Sequence, residues 1–332
     1  MPDNIQCEVT VAGTGSYVPE KILTNADLEK LVDTSDDWIT TRTGIKERRI
    51  AADDETTSDL ATKAAERAME DAGITAEEVD LIIVATISPD MFFPSTACFV
   101  QKKLGAKNAL CFDISAACSG FLYAIQICRH FINGGNRKTA LVIGAEKLSS
   151  MINWEDRNTC VLFGDGAGAA VLREDGDSNR RILSTCLASD GNQTDILTVP
   201  GGAAACPITP ANVDQRLNTI AMQGREVYKH AVNAMRRASE EALEKAGLGA
   251  ADLDMIIPHQ ANLRIIEAIT DRLGVSSEKT FINLDKYGNT SAAAVAIALD
   301  EASHTGAIKT GDLILMVAFG AGLTWASTLL RW

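Results

Sequence analysis

The chain has 332 residues, 46% of them hydrophobic, and a formal net charge of −13 at pH 7. That length holds one large core or two fused ones, and the composition is that of a soluble globular protein. The acidic balance argues against nonspecific nucleic-acid binding, and no apolar run approaches a membrane span. The opening Met-Pro-Asp-Asn-Ile-Gln-Cys-Glu carries neither the basic nor the apolar region of a secretory signal, so a cytoplasmic location is expected. The cysteines are Cys7, Cys98, Cys111, Cys118, Cys128, Cys160, Cys186 and Cys206, with no Cys-x-x-Cys among them. The histidines His130, His230, His259 and His304 are scattered. Free cysteines buried as small hydrophobes fit this pattern, whereas zinc-ligand spacing is absent, so no metal is expected.

The first clear element runs from Lys63 to Ile83. Small and apolar residues share one face of a helix that ends at Gly73, the left-handed position after a helix. Thr75 and Glu78 then read as a capping box, and Leu81–Ala85 as a buried strand. Further on, the apolar run 109–114 gives way to Asp113-Ile-Ser-Ala-Ala-Cys-Ser-Gly-Phe121 and a helical pattern. Cys118 is thereby placed at a helix start, where unpaired N–H groups and the macrodipole favour a thiolate. His130 falls in that helix and reads as packing, while His230 and His304 read as surface. Leu141-Val-Ile-Gly144 is another buried strand.

Gly164-Asp-Gly-Ala-Gly-Ala169 superficially fits a dinucleotide loop. A strand pattern follows it in place of a helix, so a glycine-rich turn is the better reading. The stretch 171–225 is rich in Gly, Pro, Ser, Asp and Asn and reads as a strand plus loops covering part of a site. After it the chain repeats itself. Residues 237–257 align without a gap on 63–83, again with a helix, a glycine (Gly247) and an apolar strand. Leu273-Gly274, a predicted strand and Asn289 then match Leu104-Gly105, a predicted strand and Cys118, and Leu313–Met316 matches Leu141–Gly144. The offset stays near ~170 residues, far too long for a solenoid. It implies two similar α/β halves, each a mixed sheet with helices, packed together. The expected division is a first half at 1–175, a connection at 176–225 and a second half at 226–332. Pseudo-symmetry would bring Cys118 and Asn289 together at the centre.

His259 follows the apolar strand of the repeat, in Pro258-His-Gln-Ala-Asn262. Taken singly, a core cysteine, a structural histidine and a helix-capping asparagine are the better readings of these residues. The order Cys, His, Asn also occurs in papain-like hydrolases, although the duplication counts against that reading. A non-catalytic binding or assembly protein that keeps the same fold is a further alternative.

The chain resembles the β-ketoacyl-acyl carrier protein synthase III family, the initiating condensing enzymes of fatty-acid synthesis within the thiolase-like superfamily. The resemblance spans essentially the whole sequence. It rests on Gly13-Thr-Gly-Ser-Tyr-Val-Pro19, Asp33-Thr-Ser-Asp-Asp-Trp-Ile39, Thr41-Arg-Thr-Gly-Ile45, the Cys118 segment, Phe163-Gly-Asp-Gly-Ala-Gly-Ala-Ala170, Pro258-His-Gln-Ala-Asn-Leu-Arg264, Tyr287-Gly-Asn-Thr-Ser291 and Ala318-Phe-Gly-Ala-Gly322, in that order. It implies a five-layered αβαβα thiolase-like fold and a homodimer. It also implies a Cys118–His259–Asn289 triad with no cofactor, whose substrates are an acyl-coenzyme A and malonyl-acyl carrier protein. Asn289 stands where elongating synthases carry a second histidine. The implied oxyanion donors are the backbone N–H groups of Cys118 and Ala321, the latter usually a glycine in the family. Coenzyme A contacts are implied for Thr34, Trp38, Arg42, Arg157, Gly224 and Asn262. In that arrangement the adenine lies between Trp38 and Arg157. Phe93 would close the acyl pocket across the dimer. Acyl carrier protein would dock on Lys229, Gln260, Ala261, Asn262, Leu263 and Arg264, with Arg225, Arg236 and Arg272 extending the patch. A ketosynthase or acyltransferase of secondary metabolism is the nearest rival.

Overall fold

The computed structural model describes residues 8–174 and 180–332. Cys7 and the expected division at 175/176 lie outside them. Two sheets form the frame. In the first, Leu81–Ala85 lies between the parallel strands Leu110–Ile114 and Thr139–Glu146. Gly166–Glu174 then pairs antiparallel with Thr139–Glu146, and Val9–Tyr17 forms the far edge. In the second sheet, Met255–Pro258 runs parallel to Leu313–Gly320, followed by Thr324–Arg331 and Arg181–Ser189, both antiparallel. Strand Arg181–Ser189, which the sequence reading left in the connection, therefore occupies in the second sheet the place that Val9–Tyr17 holds in the first.

The strands are apolar along their whole length because both faces are covered. Leu81, Ile83 and Ala85 face a central core, while Ile82 and Val84 face an outer one. In the second sheet Ile314, Met316 and Ala318 point to the centre, and Leu313, Leu315 and Val317 point out. Helices Gly120–Asn133 and Ala293–His304 fill the space between the sheets. Helices Thr57–Ala72 and Thr96–Leu104 cover one outer face, and Gly224–Lys245 and Leu263–Leu273 the other. The result is five layers, αβαβα.

The central helices sit unusually close to the sheet. A Cβ at Gly144 would lie 2.3 Å from the Ala292 carbonyl oxygen, and one at Gly168 would lie 2.6 Å from the Ala296 Cβ. Gly166-Ala-Gly168 is thus part of a strand that presents backbone to a small-residue helix, which accounts for the glycine-rich run without any dinucleotide. The Glu78 carboxylate accepts from the Thr75 N–H at 2.9 Å, as the capping box requires. His130 is exposed and contacts Gln126, so the packing role expected for it does not hold. The strand expected before Asn289 is reduced to a single parallel bridge between Ile256 and Thr280.

Candidate active site

Cys118 lies in a short turn, Ala117–Ser119, that feeds helix Gly120–Asn133. Ala117 holds a left-handed backbone (φ 45°), which turns the chain sharply between strand and helix. Gly320 packs directly on this turn: a Cβ there would come within 2.6 Å of the Cys118 nitrogen. Any other residue at 320 would press into the backbone that presents the sulfur.

Two cavities meet at Cys118. The first, about 720 Å³, is also lined by His259, Asn289 and Phe319 and opens past Trp38, Arg42, Gly224, Arg225, Asn262 and Arg264. The second, about 1030 Å³, runs the other way between Leu148, Met151, Ile220 and the 194–203 loop, and reaches Met91 and Phe92. The part of the loop-rich 171–225 stretch from Thr194 to Arg225 thus covers one side of the site, as read from its composition.

His259 follows strand Met255–Pro258 and its N–H donates to the Val317 carbonyl at 2.7 Å. Its ring is buried, Nδ1 has no protein partner, and burial alone pulls its pKa down to about 4. The imidazole is therefore neutral at pH 7. Asn289 is fixed by its backbone, which bonds to Leu162 and Gly164, and by its side chain, whose Oδ1 accepts from the Ser291 N–H at 2.8 Å. That bond leaves the amide N–H donors of Asn289 for the cavity. Helix Ala293–His304 is capped at Ala292, so Asn289 is not its N-cap.

The thiol departs from the sequence expectation. Burial pushes Cys118 up to about 12, with a lesser downward pull from Ser291 and an upward push from Glu146. Raising a thiol from 9.0 to about 12 takes roughly 4 kcal/mol. A helix N-terminus contributes only ~0.3–1 kcal/mol in the other direction. The resting group is a thiol, not the thiolate that its position in the sequence suggested.

Ala321, the other backbone donor that the resemblance implied, lies close by. It lines the second cavity with Cys118, and its backbone is not in the left-handed region. Alanine is therefore unstrained where the family pattern has glycine.

At the outer mouth, helix Asp36–Thr43 meets the start of helix Leu263–Leu273. Asn262 caps the latter, accepting from the Arg264 N–H at 3.0 Å and donating to the Arg42 carbonyl at 3.1 Å. Arg264 donates to the Thr41 carbonyl at 3.2 Å. The Arg42 and Arg157 guanidinium carbons each lie 4.9 Å from the centre of a Trp38 ring. A planar base placed between Trp38 and Arg157 would have to part them. The half-buried Thr34 is one residue from Asp33, whose carbonyl accepts from Arg157 at 2.8 Å.

Other expected contacts fall elsewhere. Gln260 is 1% exposed; it donates to the Pro258 and Phe281 carbonyls and accepts from the Asn283 N–H. It braces the loop and cannot meet a docking partner. Leu263 packs with Ile45 and Leu284 and presses on Gly44, whereas Ala261 lines the first cavity. Lys229 is exposed near Glu226. Arg236 pairs with Glu240, and Arg272 lines a separate hollow with Glu240 and Glu244, so neither extends the mouth. Phe93 is 84% exposed and does not line the acyl-side cavity of this chain, whereas Phe92 does. Sequence reasoning missed Glu146 and Ser291. A glutamate closing the otherwise uncharged strand Thr139–Glu146 was the available signal.

Models of the 3-oxoacyl-[acyl-carrier-protein] synthase III family match residues 112–191 and, for its C-terminal part, 243–332. The chain belongs to the β-ketoacyl-[acyl-carrier-protein] synthase III family. A synthase III of Caldanaerobacter subterraneus is 60% identical over 322 residues, 97% of each chain. The crystal structure of 3-oxoacyl-[acyl-carrier-protein] synthase III from Aquifex aeolicus superposes with a TM-score of 0.90 at 52% identity, covering 98% of this chain and all of that one. The priming β-ketosynthase of the R1128 polyketide pathway has the same TM-score at 36% identity, covering 98% and 97%. The fold is therefore the thiolase-like one and the protein is a condensing acyltransferase. No helix among the described residues is long and apolar enough to cross a membrane.

Proposed function

We propose that this protein starts fatty-acid chains: an acyl primer passes from coenzyme A to Cys118 and is then condensed with malonyl-acyl carrier protein. The observation that carries this reading is the place of Cys118 at the junction of two cavities. The first, lined by His259 and Asn289, suits the pantetheine arm of either thioester. The second, largely apolar, suits the acyl chain.

In the first half-reaction the sulfur attacks the acyl carbon, the new C–S bond forms, and the bond to coenzyme A breaks. The backbone N–H groups of Cys118 and Ala321 face the developing oxyanion, a task for preorganised donors. The thiol proton leaves with the departing coenzyme A sulfur. In the second half-reaction the malonyl thioester loses CO₂. The enolate oxygen then needs neutral donors, and the neutral His259 ring and the Asn289 amide supply them. The resulting carbanion attacks the acyl-Cys118 carbon and the cysteine sulfur departs, leaving 3-oxoacyl-acyl carrier protein. Loss of CO₂ drives bond formation, so the chemistry calls for no cofactor. Trp38, Arg42, Arg157 and Thr34 flank the nucleotide end of coenzyme A, and Gly224 and Asn262 its arm.

The test is direct. Wild-type protein incubated with acyl-coenzyme A should gain one acyl mass on the Cys118 peptide, and Cys118→Ala should gain none while keeping its thermal unfolding curve. Undiminished acylation of Cys118→Ala would overturn the assignment.

A further inference from the structure

Glu146 is fully buried at the end of strand Thr139–Glu146, after seven uncharged residues. It accepts from Ser88 Oγ at 2.6 Å, the Ile87 N–H at 3.1 Å and Thr86 Oγ1 at 3.2 Å. The charged groups on the elements around it are turned elsewhere. The Lys147 ammonium donates to the carbonyls of Ala52 and Glu55. Asp113 accepts from the N–H groups of Thr96 and Ala97, and Asp165 from those of Ala51 and Ser149. A buried carboxylate with no cation beside it is costly to keep.

Ser291 lines the second cavity together with Cys118, and the next residue, Ala292, packs its carbonyl against Gly144, two residues before Glu146. Ser291 is 1% exposed, and its hydroxyl has no hydrogen bond of regular geometry. The unpartnered hydroxyl is thus left among the groups around Cys118, on the side where strand Thr139–Glu146 ends. The Ser291 backbone is left-handed (φ 49°), a conformation in which glycine would be relaxed and serine is strained. Its N–H fixes the Asn289 side chain, a task glycine could perform equally well. The hydroxyl is what serine adds.

We propose that Ser291 and Glu146 are positioning residues for Cys118: the Ser291 hydroxyl donates to the sulfur as it becomes a thiolate and turns back to the Glu146 carboxylate once the sulfur is acylated. The hydroxyl keeps its own proton throughout and only reorients. This rests on Cys118 being the acyl carrier. Glu146, where it is ionised, opposes the thiolate and adds to burial in keeping the resting thiol unreactive. The electrostatics agree in sign. After burial, the Ser291 contact is the chief influence on Cys118 and favours the thiolate, and Glu146 acts against it.

The two residues should therefore move the nucleophile in opposite directions. The probe is the iodoacetamide alkylation rate at Cys118 from pH 6 to 10, read by peptide mass, on the intact protein. Ser291→Gly should slow alkylation at pH 8 about tenfold and move the profile to higher pH; Glu146→Gln should speed it about tenfold and move it to lower pH. A purely structural role would not split the profiles in this way. Unshifted profiles, or shifts in the same direction, would overturn the proposal. If Glu146→Gln does not fold, Ser291→Gly decides alone, because it relaxes the backbone and must still move the profile upward. Failure of acyl-coenzyme A to protect wild-type Cys118 would instead sink the assignment of the acyl carrier.

Discussion

The two halves use the same strand-to-helix junction for different ends. In the first half, the five-residue strand Leu110–Ile114 and the left-handed Ala117 deliver Cys118 at the head of a central helix. In the second, the matching strand shrinks to the Ile256–Thr280 bridge, and the junction delivers Asn289, aimed by its own bond to Ser291. The register of the repeat carries the contrast further. His259, the residue after its strand, stands where the first half has Ala85, whose Cβ would lie 2.9 Å from one placed on Gly120. A nucleophile needs a rigid pedestal between two cavities, whereas a donor needs only a fixed side-chain angle. The two equivalent junctions carry different residues, and under the proposed mechanism those residues divide the chemistry.

The division can be broken most decisively by deleting the donors of the second half. Removing one oxyanion donor typically costs on the order of 10²–10³ in rate. His259→Ala and Asn289→Ala should therefore lose malonyl-acyl carrier protein decarboxylation by that factor and still form acyl-Cys118. Release of labelled CO₂, measured beside the acyl adduct, separates the steps. A variant that decarboxylates normally but cannot be acylated would reverse the assignment of the halves.

Much of this was legible beforehand, because the repeat and the motifs lie in contiguous stretches of chain. The helix–Gly–strand repeat at 63–83 and 237–257 placed both outer layers, and the apolar strands announced a sheet covered on both faces. What stayed hidden depends on distance in space. Gln260 sits inside a motif that reads as surface, yet it satisfies carbonyls from two segments. The ionisation of Cys118 follows from burial among residues more than a hundred positions apart, which local position cannot report. Arg181–Ser189 reads as connection because its partner, Thr324–Arg331, lies at the other end of the chain.

Buried titratable groups of the two halves sharpen the comparison through pH. His259 in the second half has its pKa lowered by burial from 6.5 to about 4. The unfolded chain then binds the extra proton first, so the stability linked to His259 is present above pH 6.5 and lost as pH falls toward 4. Glu146 in the first half is raised by burial from 4.5 to about 7. Its linked stability is present below pH 4.5 and lost as pH rises through 7. Each effect is roughly 3 kcal/mol at its limit. Thermal unfolding followed from pH 4 to 8 should show His259→Phe losing the acid-side slope and Glu146→Gln losing the slope between 4.5 and 7. Two variants with the same altered slope would mean that other groups set the pH dependence.

The smallest expected effect concerns the mouth, where elements of both halves meet and where a carrier protein would arrive. Arg225 and Arg264 line the opening, and exposed Lys229 lies on the same helix as Arg225, in a chain of net charge −13. An acidic carrier would be steered to such a patch, and salt would screen the attraction over about 8–10 Å. Exposed charges of this kind act mainly on association, so the change should be several-fold and not a loss of activity. Lys229→Glu combined with Arg264→Glu should raise KM for malonyl-acyl carrier protein and flatten its dependence on ionic strength. Acylation of Cys118 by a coenzyme A thioester needs no protein partner and should change little. Equal losses in both half-reactions would point instead to the contacts Arg264 makes with the Thr41 carbonyl, and hence to a distorted opening between the halves.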